Sequence, residues 1–62
     1  MNHTESEYIE AGRRYELATN PDSARAVAQH IRSMLNSENQ KDKPEARHLI
    51  EQGRAEARGT TW

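Results

Sequence analysis

Apolar residues recur along this chain at three- and four-residue steps, the spacing that puts them on one face of an α-helix. Three such segments are readable. The first opens at Thr4, with Glu7 three residues on, the reciprocal arrangement of a capping box. Tyr8, Ala11, Tyr15 and Ala18 form its stripe, while Ile9 and Leu17 point to nearly the opposite side. Asn20-Pro21-Asp22 ends it and starts the next. Asn20 suits the N-cap, Pro21 the first helical position, and Asp22 complements the helix dipole. From there to about Asn36, Ala24, Val27, Ala28, Ile31, Met34 and Leu35 make one continuous stripe, with Arg25, Gln29, Arg32 and Asn36 opposite. Ser37 to Lys43 is polar throughout and reads as a loop. Asp42 and Glu45 repeat the capping spacing, and Pro44 falls in the first turn of a third helix. Its stripe is Ala46, Leu49, Ile50, Gly53 and Ala57, with Gly59 placed as a C-cap. The pattern predicts a single all-α domain over 1–62, with helices at about 5–18, 21–36 and 43–58, a loop at 37–42, and flexible tails at 1–4 and 59–62.

One short pattern occurs twice. Tyr8-Ile9-Glu10-Ala11-Gly12-Arg13 aligns with Leu49-Ile50-Glu51-Gln52-Gly53-Arg54. Each copy carries a glycine in mid-helix, on or beside the apolar stripe, at a cost of about 1 kcal/mol relative to alanine. A glycine kept there is expected to mark close approach of another backbone. Helices one and three are therefore expected to cross near Gly12 and Gly53.

The apolar inventory changes the picture next. Ile9, Leu17, Val27, Ile31, Leu35, Leu49 and Ile50 are the seven Leu, Ile and Val residues among 62, and Phe is absent. A domain of this length buries only about 60% of the surface its unfolded chain exposes. Small scaffolds with so thin a core usually add disulfides, a metal or oligomerisation. With no cysteine, disulfides and thiolate sites are excluded. Association remains, and the fold is expected to be a small bundle or an open helical array completed by a second chain.

Charge is balanced, with nine Lys and Arg against ten Asp and Glu, so no bulk field draws nucleic acid or anionic lipid to the chain. No apolar run reaches the ~18 residues of a membrane span, and the N-terminus lacks the basic and apolar regions of a signal peptide, which predicts a cytoplasmic location.

Candidate chemistry is thin. His3, His30 and His48 show no metal-ligand spacing. Glu7, Glu10 and Glu51 lack the pocket that tunes a catalytic carboxylate, and local pairing of Glu10 with Arg14 and Glu51 with Arg54 is the simpler expectation. Ser6, Ser23, Ser33 and Ser37 sit in no nucleophile elbow. No catalytic activity, cofactor or metal is expected.

Two binding readings follow. In the first, the chain is a self-associating interaction module whose partner, expected to be a second copy in a homodimer, contacts Tyr8, Ile9, Gly12, Leu17, Leu49, Ile50, Gly53 and Trp62. These include the outward apolar residues and the aromatic types enriched in binding hot spots. Size and composition resemble those of small accessory or regulatory proteins of bacteria and their phages. In the second, Arg25, Arg32, Arg47, Arg54 and Arg58 line helix faces that contact nucleic acid. Against that reading, Glu51 interrupts the row on helix three, and the connection between helices two and three is long for a helix-turn-helix turn.

Overall fold

The structure, a computed structural model, describes residues 2–59. The first helix, α1, spans Glu5–Leu17; α2 spans Pro21–Asn36 and α3 Lys43–Gly59. Trp62 lies outside the described residues. The two N-terminal boundaries follow from the predicted caps. The Glu7 amide donates to Thr4 Oγ1 at 3.2 Å while the Thr4 amide donates to Glu7 Oε1 at 2.9 Å. At α2, the Ser23 amide donates to Asn20 Oδ1 at 2.8 Å, with Pro21 in the first turn. Gly59 departs from expectation. It continues α3, and no glycine among the described residues has positive φ, so it is not a left-handed cap.

The three helices form a flat array of 33 × 26 × 14 Å. Its principal contact is between α1 and α3; α2 packs mainly on α1 and barely touches α3. α1 and α3 run in the same sense, since Tyr8 clusters with Ala46 and Leu49 while Glu16 reaches Arg54 and Arg58. The two faces of α1 are thus divided between two neighbours. Tyr8 and Ala11 enter the core with Met34, Ala46, Leu49 and Ile50, and Ile9 packs partly buried against it. A two-sided helix therefore finds cover for most of both faces inside one chain. Leu17 is the exception, at 58% exposed.

Gly12 and Gly53 set how closely α1 and α3 approach. A Cβ built on Gly12 would collide with the carbonyl oxygen of Ile50 and lie 2.8 Å from its carbon. One built on Gly53 would collide with the Ile9 carbonyl oxygen and lie 2.8 Å from that carbon. The contact is reciprocal: each glycine faces the carbonyl of the isoleucine three residues before the other. Both glycines are buried. Backbones this close gain dispersion contacts, and they bring Cα–H groups to carbonyl oxygens, a weak interaction favoured at such crossings.

The α2–α3 connection is less solvated than a run of polar residues suggests. Glu38 is buried, 6% exposed, and its carboxylate accepts the Tyr8 hydroxyl and the backbone amides of Asn2 at 2.9 Å and His3 at 3.3 Å. Asn2 Nδ2 donates to the Ser37 carbonyl as well. The loop thereby grips both the segment before α1 and the side chain at the centre of the core. The Tyr8 hydroxyl, together with the two amides, holds the Glu38 carboxyl below its ordinary value of 4.5 against the opposing effect of burial. Burial first, and then the Glu38 carboxylate, push the Tyr8 phenol well up, so it stays protonated and donates.

Two outcomes follow. Gly12→Ala or Gly53→Ala forces a methyl group into backbone that cannot retreat like a side chain. Each should destabilise by about 3 kcal/mol or more, lowering the thermal midpoint by more than ~10 °C. An unchanged melt for both variants would show that the helices do not meet there. The Glu38 carboxyl is depressed in the folded chain, so its stabilisation is present above about pH 4.5 and lost as pH falls through the lower folded value. Urea midpoints of the wild type should drop on acidification. Those of Glu38→Gln should start lower at neutral pH and fall less steeply.

Candidate functional site

α2 has the most clearly amphipathic sequence of the three helices, yet it is the least covered. Of its stripe only Met34 is buried; Ala24, Val27, Ala28, Ile31 and Leu35 are half-buried. The reason is architectural. α1 is engaged with α3 along the glycine seam, and α2 leans on α1, so a trough stays open between α2 and α3. This groove, of about 370 Å³, has a floor of Tyr15, Ala28, Ile31, Leu35 and Ile50. It continues into a second depression that shares Ala28, Ile31, Leu35 and Arg47 and adds Arg32, Asn36 and Lys43 to the rim. Apolar lining with a few polar groups at the edge is the usual make-up of a recognition groove.

The rim is electrostatically uneven. Arg54 is held in place from three directions. Its Nε donates to Glu16 at 3.1 Å, its Nη1 to Glu51 at 2.9 Å, and its guanidinium lies 5.1 Å from the Tyr15 ring centroid. The Glu16 hydrogen bond is the main reason its proton is held more firmly than usual. Arg58 lies 3.8 Å from the same Glu16. Arg13 bridges Glu10 at 3.2 Å and Glu56 at 2.8 Å. Glu10, Glu16, Glu51 and Glu56 are thus drawn to the α1–α3 seam. Arg32, Lys43 and Arg47, at the other end of the groove, have no ion pair among the described residues.

The site residues predicted from sequence separate into groups. Tyr8, Gly12, Leu49 and Gly53 are buried between this chain's own helices, and Ile9 is partly so. Ile50 is buried but lines the groove. Leu17 stands exposed at the end of α1, away from that lining. The five arginines form no single face: Arg54 and Arg58 belong to the Glu16 cluster, Arg32 and Arg47 to the groove rim, and Arg25 is exposed seven residues before Arg32. Lys43, Ile31, Leu35 and Tyr15 were not singled out as contact residues. The signal that could have found the first three is the breadth of the α2 stripe and the cation that opens α3.

Among the described residues no three His, Cys, Asp or Glu side chains are grouped to hold a metal ion. The tightest acid–phenol pair, Tyr8 with Glu38, is sealed, with Tyr8 0% exposed. No helix among the described residues is long and apolar enough to cross a membrane. No family model, curated protein or solved structure matches the chain.

The two kinds of rim cation should behave differently when truncated. Arg54→Ala removes two ion pairs and a ring contact from a part-buried side chain and should cost on the order of 1 kcal/mol. Arg47→Ala touches an exposed cation with no ion pair among the described residues and should stay within ~0.5 kcal/mol of wild type. Chemical denaturation of both variants reads the difference; equal costs would remove the distinction drawn between them.

Proposed function

We propose that this chain is a non-enzymatic protein-interaction module whose contact surface is the α2–α3 groove. One observation carries the reading: the helix with the broadest apolar stripe buries only Met34 and leaves Ile31 and Leu35 half-covered over an open trough. Apolar surface lining such a groove is what a partner's side chains remove from water. A thin core supports the same reading, because burial against a partner adds stability that the chain alone lacks.

Self-association is the second form of this reading, and Leu17 favours it. A large aliphatic side chain 58% exposed at the end of α1 is a ready point of contact between copies. The cytoplasm is the location that fits either form.

Leu17→Glu tests the end of α1 as a contact between copies; Ile31→Glu tests the groove, because a half-exposed position can carry a charge that the core cannot. Both variants are expected to keep wild-type helicity by circular dichroism. Wild-type chain immobilised in lysate of its source cells should retain a companion at near-stoichiometric amount, which Ile31→Glu should lose, or sediment as a reversible dimer, which Leu17→Glu should lose. A wild type that retains nothing and sediments as a monomer at every concentration would remove the proposal. Association unaffected by Ile31→Glu would move the contact surface elsewhere.

A further inference from the structure

Resting on the groove as the contact surface, we propose that its occupant is an amphipathic helix of another protein, carrying acidic side chains beside an apolar stripe. The shape comes from the floor. Ala28, Ile31 and Leu35 follow one another along α2 at helical spacing, with Ile50 and Tyr15 across from them. A trough between two helices that displays such a row is filled by side chains at i, i+3 or i+4, and i+7 of a third helix.

The charge comes from the rim. Arg32, Lys43 and Arg47 surround the end of the groove nearest Leu35 and have no ion pair among the described residues. The rim's carboxylate, Glu51, is already joined to Arg54 at 2.9 Å. Each cation is thus left for a partner's carboxylate, and each would repel a partner's lysine or arginine.

The same charges argue against a second copy in this groove. A copy laid over it about a two-fold axis sets this cationic end either against the same cations or against the end where Arg54 lies, whose Glu51 is already paired with it. Nor does this chain offer a suitable helix from elsewhere on its surface. The outward side of α3 has Glu45, Gln52 and Glu56 but no large aliphatic side chain among its exposed residues, and exposed Leu17 shares its helix face with exposed Arg13 and Arg14. Nucleic acid would satisfy the cations, but its phosphates would leave Ile31, Leu35 and Ile50 without an apolar counterpart.

The test uses the full chain, labelled for amide NMR, and two synthetic helical peptides. Both carry leucine at i, i+3, i+4 and i+7; one has glutamate flanking the stripe and the other lysine. The glutamate peptide is expected to shift the signals of Ala28, Ile31, Leu35 and Ile50 and to bind at least about tenfold more tightly than the lysine peptide, a difference of ~1.4 kcal/mol. Added salt should narrow the gap. In the double variant Arg32→Glu, Arg47→Glu, both changes fall on exposed positions and the preference should invert. Equal binding of the two peptides, or none, overturns the proposal. So do signals in the groove that move with the chain's own concentration, or a short DNA duplex that shifts the same residues more strongly than the glutamate peptide. Failure here, with association still lost in Ile31→Glu, would reject the acidic helix while leaving the groove as the contact surface.

Discussion

Because Gly12 and Gly53 have no side chains, the backbones of α1 and α3 lie against one another, and this contact decides where everything else goes. A chain with few large aliphatics cannot hold helices apart with bulky side chains and still fill the space between them. Bringing the backbones together removes the space. Alanines then suffice beside the seam, and Ala11, Ala46 and Ala57 are all buried. The remaining volume is small enough for Tyr8, Met34, Leu49 and Ile50 to close it. The loss of helix propensity at two glycines, about 1 kcal/mol each, is the cost of a core that needs so little material.

The seam has an approximate two-fold character that accounts for the repeated six-residue pattern in physical terms. Gly12 faces the carbonyl of Ile50 and Gly53 that of Ile9. The arginine after each glycine bonds the glutamate three residues before it, Arg13 to Glu10 and Arg54 to Glu51. Each then reaches across to the other helix at matching positions, Arg13 to Glu56 and Arg54 over the ring of Tyr15. Two helices meeting this closely ask the same of both sequences: a residue without a Cβ at the crossing and a long cation beside it. Similar sequence at the two places follows from that shared demand, whatever the origin of the pattern.

Much of this was legible before any coordinates. Capping residues fix helix starts locally, so Thr4 with Glu7 and Asn20 with Pro21 could be read within a few positions. A mid-helix glycine costs enough to need a reason, which is why the crossing could be placed. What could not be read is which apolar face is covered by this chain and which is left open. Tyr8, Leu49 and Gly53 look the same in sequence whether a neighbouring helix or another molecule buries them. Glu38 was hidden for a similar reason: in a run of seven polar residues nothing local distinguishes the carboxylate that meets a tyrosine thirty positions away. Arg54 likewise depends on Glu16, thirty-eight positions distant, to leave the solvated face it shares with Arg58 in sequence.

The seam also explains why the groove exists and why its charge is one-sided. Once α1 is committed to α3, α2 can cover only part of its stripe, and Ala28, Ile31 and Leu35 are left half-covered beside α3. The carboxylates of Glu10, Glu16, Glu51 and Glu56 are meanwhile recruited to the arginines flanking the glycines. A nearly neutral chain thereby becomes locally cationic at the far end of the groove, not through an excess of lysine and arginine but because Glu10, Glu16, Glu51 and Glu56 pair with other arginines. Net charge therefore says little about what this surface attracts. The same packing that lets a sparse core hold together also leaves an apolar groove at one end of which Arg32, Lys43 and Arg47 have no ion pair among the described residues.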